Sequence, residues 1–455
     1  MESLENISSP SRRAFLAGGA AAGLGAVLAA CTSSGSQQAA TPATKVNMKA
    51  ELEKPASITF WSWVPGIDKQ VAIFESQYPN IKVNLVNAGQ GAAEYTKLRT
   101  ALGAGRGAPD VVQIEYLEIP TFVLGNKLLD LAPYGAAALR PLFVDWVWGQ
   151  VATGGQVYAI PQDSGPMGML YRKDIFDKYG ISVPATYAEF AAAGRKLHQA
   201  APGVTITNLA SNDPNVFLGL VWQAGGRPFT SVNKGTMGIG LDDGAAQKVA
   251  AYWEPLIKDG IVSTAPDYTT AWYNGLATGE YATWLTAAWG PLFLSEEAAS
   301  STGKWRVAPL PQWTSGASVS GNNGGSTTAV TAQTASPAAA AEFAMFINTN
   351  PACAKLFSEP PQYLFPTLKS VLASSSFLDG ALPFYGGQQV NREFASISTT
   401  VDTGFTWSPF EDEINTSFTD TVGAVMADRG DLLGAISTWQ STVTRYATGE
   451  GIKVS

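Results

Sequence analysis

An α/β fold divided into two lobes, with helices concentrated toward the C-terminus, is what the sequence predicts. Three observations carry the prediction. Short apolar runs alternate with helical segments, and the late part of the chain repeats apolar residues at helical spacing. About 400 residues also remain behind the N-terminal leader, more than one hydrophobic core usually organises. Ile58-Thr59-Phe60-Trp61 is a short apolar strand, and Asp68 to Tyr78 reads as a helix stopped by Pro79. Ile81, Val83 and Leu85 alternate with Lys82 and Asn84, the period of a strand with one buried face. Ala93 to Leu102 is helical again and Asp110 to Ile114 is a third strand. This βαβαβ rhythm predicts a mainly parallel sheet covered by helices. Thr186-Tyr187-Ala188-Glu189 is a capping box, whose hydroxyl and carboxylate satisfy free N–H groups at the start of a helix reaching about Ala200. Ser336-Pro337 puts a cap residue and a first-turn proline before a helix with Phe343, Phe346 and Ile347 on one face. Leu432, Ile436, Trp439, Val443 and Tyr446 recur at helical spacing near the end.

Residues 1–31 read as an address. Ser11-Arg12-Arg13-Ala14-Phe15-Leu16 looks like a twin-arginine export signal, and the Ala/Gly/Leu-rich run from Ala14 to Ala30 is shorter than the ~20 residues of a bilayer span. The run ends at Leu28-Ala29-Ala30-Cys31, similar to a lipobox, so Cys31 is the expected lipidation site. The mature chain is then expected outside the cytoplasm, anchored to the cell membrane through lipid alone. Residues 32–54 carry Ser, Gln, Ala, Thr and Pro with few large apolar side chains, the composition of a flexible linker. With Cys31 lipidated, Cys353 has no partner for a disulfide; beside Ala352, Leu356 and Phe357 it reads as a buried thiol in a helix over Pro351 to Ser358. The net charge of −8 survives removal of the leader, whose charges cancel, and argues against nucleic acid and against electrostatic binding to anionic lipid.

Catalytic patterns are scarce. The single histidine, His198, lies inside the capped helix without partners at metal spacing, so no metal site and no cofactor are expected. There is no G-x-S-x-G, H-E-x-x-H, P-loop or EF-hand pattern, and two S-x-x-K matches, at Ser231 and Ser301, stand without a K-T-G box. Carboxylate pairs such as Asp110 with Glu115, or Glu296 with Glu297, leave a glycoside-active enzyme as the alternative reading.

Aromatic residues at strand ends are more informative. Trp61-Ser62-Trp63 closes the first predicted strand, and Gln113-Ile114-Glu115-Tyr116 closes the third. Trp284 and Trp289-Gly290-Pro291 bracket a run of small residues, and Trp407-Ser408-Pro409 precedes a helix. In open α/β sheets ligands bind at the carboxyl ends of strands. An indole face stacks on sugar C–H groups while neighbouring carboxylates accept hydroxyl protons. Trp253, Trp305 and Trp439 read instead as core residues.

In their order and spacing these segments resemble the bacterial extracellular solute-binding proteins of carbohydrate ABC transporters, over essentially all of the mature chain. Gly107-Ala108-Pro109-Asp110-Val111-Val112 is similar to the family's G-x-P-D-V-V strand. Gly155-Gln156-Val157-Tyr158-Ala159-Ile160-Pro161 and Leu170-Tyr171-Arg172-Lys173-Asp174 are similar to its G-x-x-Y-x-I-P … L-Y-Y-N-K-D crossing, with Arg172 and Lys173 departing from it. Pro184-Ala185-Thr186-Tyr187, Gly279-Glu280-Tyr281-Ala282 before Trp289, and Trp305 to Pro311 before Gly324-Gly325-Ser326 continue the likeness.

The resemblance implies a two-lobed, type II periplasmic-binding-protein fold with the ligand cleft between the lobes. The first lobe would take 55–162 and 312–367, the second 163–311 and 368–455. It implies capture of a sugar, with the aromatic content favouring a di- or oligosaccharide, by closure of the lobes in a monomer, and delivery to an ABC permease. Carried over by position, Trp61, Trp63 and Trp289 would stack on the ligand, Glu115 and Asp163 would accept its hydroxyls, and Gly325 and Ser326 would approach it closely. Trp222, Tyr363 and Trp407 are further ligand-binding candidates. A polyamine boxed by carboxylates and aromatics on the same fold is the other alternative.

Overall fold

The computed structural model describes residues 46–230 and 235–455. The export signal, Cys31 and the first part of the expected linker therefore lie outside the described residues. The linker expectation also reached too far. Met48–Leu52 form a helix capped by Asn47, whose side chain accepts from the Ala50 N–H. Met48 and Leu52, four residues apart on one face, pack against the core.

Two lobes are observed, each built on a five-stranded sheet. Strands β1 (Ala56–Trp61), β2 (Ile81–Val86), β3 (Val111–Glu115) and β4 (Ala159–Pro161) belong to the first sheet. Strands β5 (Met167–Arg172), β6 (Thr205–Asn208), β7 (Val262–Ser263), β8 (Tyr281–Ala287) and β9 (Trp305–Pro309) form the second. The chain then returns to the first sheet with β10 (Ser326–Val330). The spatial orders are β2-β1-β3-β10-β4 and β7-β6-β8-β5-β9.

The sheets are mixed, where the βαβ rhythm predicted mainly parallel pairing. In the first, β10 runs antiparallel to both β3 and β4; in the second, β5 runs antiparallel to both β8 and β9. The reason is topological. The other strands end at the edge facing the opposite lobe, so a strand entering from that lobe must run away from the edge. One such strand in each lobe follows from the crossings.

The crossings are knit together. Ser164 N–H donates to Phe365 O at 3.0 Å, and Asp163 pairs with Pro366. Gly165 N–H donates to the buried Asn322 Oδ1 at 2.9 Å, and Asn323 N–H donates back to Gly165 O at 2.9 Å. Residues 312–321, expected with the first lobe, pack on the second. Tyr187 N–H donates to Gln312 O, Trp313 lies on Tyr187 with ring centroids 4.1 Å apart, and Gly321 abuts Gly219 O. The return to the first sheet thus begins nearer Asn322 than Gln312.

The capping box forms as read, with Thr186 Oγ1 accepting from Glu189 N–H and the Glu189 carboxylate accepting from Thr186 N–H. Ser336 makes no side-chain cap to the helix Pro337–Thr349, although Pro337 holds its first turn. In the helix Leu432–Gly449, Leu432, Ile436, Trp439 and Val443 are buried, while Tyr446 has rotated off that face and is 41% exposed. Trp253, Trp305 and Trp439 are fully buried. Cys353 is buried, and burial pushes its thiol up to about 12, as expected of an inert core residue.

Candidate functional site

Because β1, β3 and β4 end at one edge and β10 starts there, their terminal residues converge. Gln113 organises this corner. Its Oε1 accepts from Ser62 Oγ at 2.7 Å and from Trp63 N–H at 3.2 Å, while its Nε2 donates to Ser326 Oγ at 3.1 Å. Trp63, half-buried, meets the edge of Tyr95 at 6.2 Å. Tyr95 donates its phenol proton to Glu115 Oε2 at 2.9 Å and accepts from Glu115 N–H. Trp61 is half-buried against the core, on the face of β1 opposite Phe60.

Asp163 sits where the chain leaves the first lobe. Its Oδ1 accepts from Ser326 N–H at 2.6 Å and its carbonyl accepts from the Tyr116 hydroxyl at 2.9 Å. Ser326, 7% exposed, is committed to these bonds. Gly325 is needed by the protein. At φ +98°, a Cβ there would lie 2.7 Å from the Tyr116 ring and 2.9 Å from Ser164 Cα, so the close approach expected toward a ligand is made by protein atoms.

The second lobe presents the ends of β6, β7 and β8 to the same space. Trp289, half-buried after β8, donates its indole N–H to Asn323 O at 2.9 Å and lies 6.4 Å from Tyr268 and 6.0 Å from Trp284. Tyr268 is 45% exposed and held at φ +55°, a conformation that strains a bulky residue and clusters at functional sites. Beside it Asp267 is buried, and the half-buried Asp213 caps the helix Pro214–Gln223. From the C-terminal segment, Glu411 opens the helix Glu411–Phe418 and is 1% exposed. Arg99 spans the lobes: it pairs with Glu118 at 3.4 Å on the first and with Asp412 at 2.9 Å on the second.

Burial sets the electrostatics. It raises Glu115 and Glu118 to about 7 and Asp163 to about 6; Tyr95 and Arg99 partly counter this for the first two. Burial, then repulsion from Asp213, raises Asp267 to about 8, and burial with Glu118 nearby lifts Glu411 well above the carboxylate range. Beneath Tyr95, Glu94 is fully buried, neither of its carboxylate oxygens has a partner, and burial raises it to about 8.

A prediction follows for Glu94. Its folded-state value lies above the unfolded one, so the native chain holds a proton that the unfolded chain releases between about pH 4.5 and 8. Stability from this group is therefore present below that window and lost as pH rises through it. Glu94→Gln does not titrate, so its melting temperature should exceed the parent's by more at pH 8.5 than at pH 5, to be read by thermal unfolding across ~pH 4–9. An equal difference at all pH values would refute the burial argument.

Some expected ligand residues are core residues. Trp222 is fully buried, stacked flat on Phe405 at 4.3 Å, with its N–H on Asp402 O at 2.8 Å, so it has no face to offer. Trp407, 2% exposed, packs edge-on to Phe405 and Trp222. It does border a cavity of about 910 Å³ walled mainly by apolar groups such as Val123, Met237 and Pro409, a space without carboxylates. Tyr363 is 49% exposed on a loop that packs over Gly66, just beyond Trp63. The carboxylate pairs do not form a catalytic dyad. Asp110 accepts from Thr59 N–H and Thr334 Oγ1, and Glu296 and Glu297 are exposed at a helix end. His198 is half-buried on its helix, and no cluster of metal-ligating side chains occurs among the described residues.

Sequence reasoning missed Tyr95, Glu118, Asp213, Asp267, Tyr268 and Glu411. The rule applied to β1 and β3, inspection of the residues just after a strand, would have reached Asp213 and Asp267-Tyr268 had β6 and β7 been recognised. Among the described residues, no helix is long and apolar enough to cross a membrane.

The profile of the bacterial extracellular solute-binding proteins matches residues 60–352. An arabinooligosaccharide-binding protein of Bacillus subtilis is 26% identical over 303 residues, covering 64% of this chain and 68% of its own. A solved ABC-transporter-associated binding protein of B. animalis subsp. lactis, in complex with beta-1,6-galactobiose, is 30% identical with a TM-score of 0.75, covering 88% of this chain and 100% of its own. The galacto-N-biose-/lacto-N-biose I-binding protein of Bifidobacterium longum, in complex with lacto-N-biose, is 25% identical with a TM-score of 0.76, covering 88% and 99%. These relatives are binding proteins by name.

Proposed function

The chain belongs to the bacterial extracellular solute-binding protein family, and from that premise we propose that it captures a short oligosaccharide outside the cytoplasm for an ABC importer. One observation carries the reading. The carboxyl edges of two sheets face each other across knit crossings, with Trp63, backed by the buried Tyr95, on one wall, Trp289 and Tyr268 on the other, and carboxylates between them. A sugar ring has two apolar faces and a girdle of hydroxyls, so aromatic walls with acceptor oxygens suit it. The names of the similar proteins, which bind arabinooligosaccharides, beta-1,6-galactobiose and lacto-N-biose, support a di- or oligosaccharide.

The mechanism is closure. A ligand touching both walls stabilises the closed arrangement by its greater affinity for it. Trp63 and Trp289 supply the stacking faces, Glu115 and Asp163 accept hydroxyls from the first lobe, and Tyr268 stands at the second. The Arg99 pairs with Glu118 and Asp412 add a protein latch to the same closed state. The closed form would then dock on the permease, with lipidated Cys31 keeping the protein at the membrane surface.

The test is a thermal-shift screen of the mature chain against short neutral oligosaccharides, with spermidine as the polyamine control. A ligand of the native state raises the melting temperature by mass action. A shift from a short oligosaccharide, without release of reducing sugar on incubation, is the expected result. A shift from spermidine alone would overturn it.

A further inference from the structure

Resting on the saccharide reading, the charge pattern of the cleft says which saccharides fit. The walls carry Glu115, Glu118 and Asp163 on the first lobe and Asp213, Asp267 and Glu411 on the second. Among the described residues, Arg99 is the one cation in ion-pair reach of this set, and it is already engaged by Glu118 and Asp412.

Two of these side chains also lack a partner. Glu411 accepts from Asn415 Nδ2 through Oε1 at 3.2 Å, but its Oε2 is unpartnered, at 1% residue exposure. Asp267 Oδ1 is unpartnered at 5% exposure. Glu411 precedes Asp412, which Arg99 ties to Glu118 of the first lobe, and it feels the charges of Glu118 and Glu115; Asp267 precedes Tyr268, which also feels Glu115. A buried acceptor without a donor is costly until a donor arrives. Hydroxyl and ammonium groups are donors; ionised carboxylates and sulfates carry acceptors only.

We propose that the cleft selects saccharides by charge, taking neutral or cationic glycans and rejecting those bearing carboxylate, sulfate or phosphate. Glu411 and Asp267 are its second-lobe acceptors for ligand hydroxyls. An anion placed about 6 Å from one ionised wall carboxylate, at an effective dielectric of about 20, is disfavoured on the order of 100-fold.

The experiment compares lactose, arabinobiose and beta-1,6-galactobiose with digalacturonate and with the disaccharide of glucosamine, using the mature chain in calorimetric titrations. It is run at about pH 8.5, above the values of about 6 to 8 to which burial raises Glu115, Glu118, Asp163 and Asp267, so that these four are ionised and do not donate to an anion. Binding of a neutral or cationic disaccharide, with digalacturonate at least about 100-fold weaker, is expected. Asp267→Asn, which keeps an acceptor oxygen and removes the charge, should narrow that gap for any anionic probe at least tenfold, and Glu411→Gln, made at a carboxyl that burial holds toward its neutral form, should narrow it less, with folding checked by circular dichroism. Digalacturonate binding as well as a neutral disaccharide would overturn the charge filter and leave the saccharide reading intact. Silence from every saccharide would overturn both. Variants that fold and leave the discrimination unchanged would remove Glu411 and Asp267 from it.

Discussion

Trp289→Ala should weaken oligosaccharide binding on the order of 100-fold. Removing about 100 Å² of apolar stacking surface costs ~2.5 kcal/mol, close to a factor of 70, before any specific ring–sugar attraction is counted. The indole also does a second thing. Its N–H donates to Asn323 O in the crossing, so the second-lobe platform is coupled to the segment that joins the lobes. Trp289→Phe separates the two roles, since it keeps a ring and loses the N–H. It should recover part of the affinity but close less readily, seen as a slower association rate. Trp222→Ala is the contrast: its ring is buried against Phe405, so it should cost about 3–5 kcal/mol of stability without a matching loss of affinity in the fraction that folds. Calorimetric titration with a saccharide found in the screen decides the matter. Affinity within threefold of the parent in Trp289→Ala would remove the second-lobe platform from the site.

Gly165→Ala carries the other large effect. A Cβ at Gly165 would lie 1.9 Å from Asn323 O and 3.1 Å from Ala287 Cβ, so two crossings and the end of β8 would have to part. The new Cβ meets a backbone carbonyl, and no rotamer change relieves that. The same residue donates its N–H to Asn322 and accepts from Asn323 N–H, so separation also strains both bonds. A loss of about 3 kcal/mol or more is expected, a fall of roughly 6–12 °C in melting temperature for a lobe of this size. Gly149→Ala, on an exposed helix position with nothing within 4 Å, is the control and should leave stability unchanged or slightly raised. A Gly165→Ala protein melting within about 2 °C of the parent would mean that the crossings yield easily.

The parts of the fold legible in the sequence were those governed by local periodicity. The first three strands, their helices and the Thr186 capping box depend on residues within one or two turns of each other, and they were found with ends shifted by a residue or two. The antiparallel β5 and β10 were not legible as such. Their direction is set by which lobe the chain arrives from, and no local pattern encodes that. The site divides in the same way. Trp63 and Glu115 could be nominated because each ends a recognisable strand, and Trp289 because it follows a run of small residues at a position the family resemblance singles out. Trp222 and Trp407 looked alike in sequence but are stacked in the interior, because Phe405 and Asp402, roughly 180 residues away from Trp222, supply a face and an acceptor. Glu411 was passed over because its importance arises only when the C-terminal helix is laid opposite Glu118.

The strand order has a consequence for the chain as it is being made. Every strand of the second sheet lies between Met167 and Pro309, whereas the first sheet waits for Ser326–Val330 to fill the gap between β3 and β4. A nascent chain that has emerged only as far as Pro309 therefore holds all the strands of its later lobe, while its earlier lobe still shows the bare edge of β3 and a detached β4. Synthesis runs from the first lobe to the second, but the sheet of the second is the one that can be completed first.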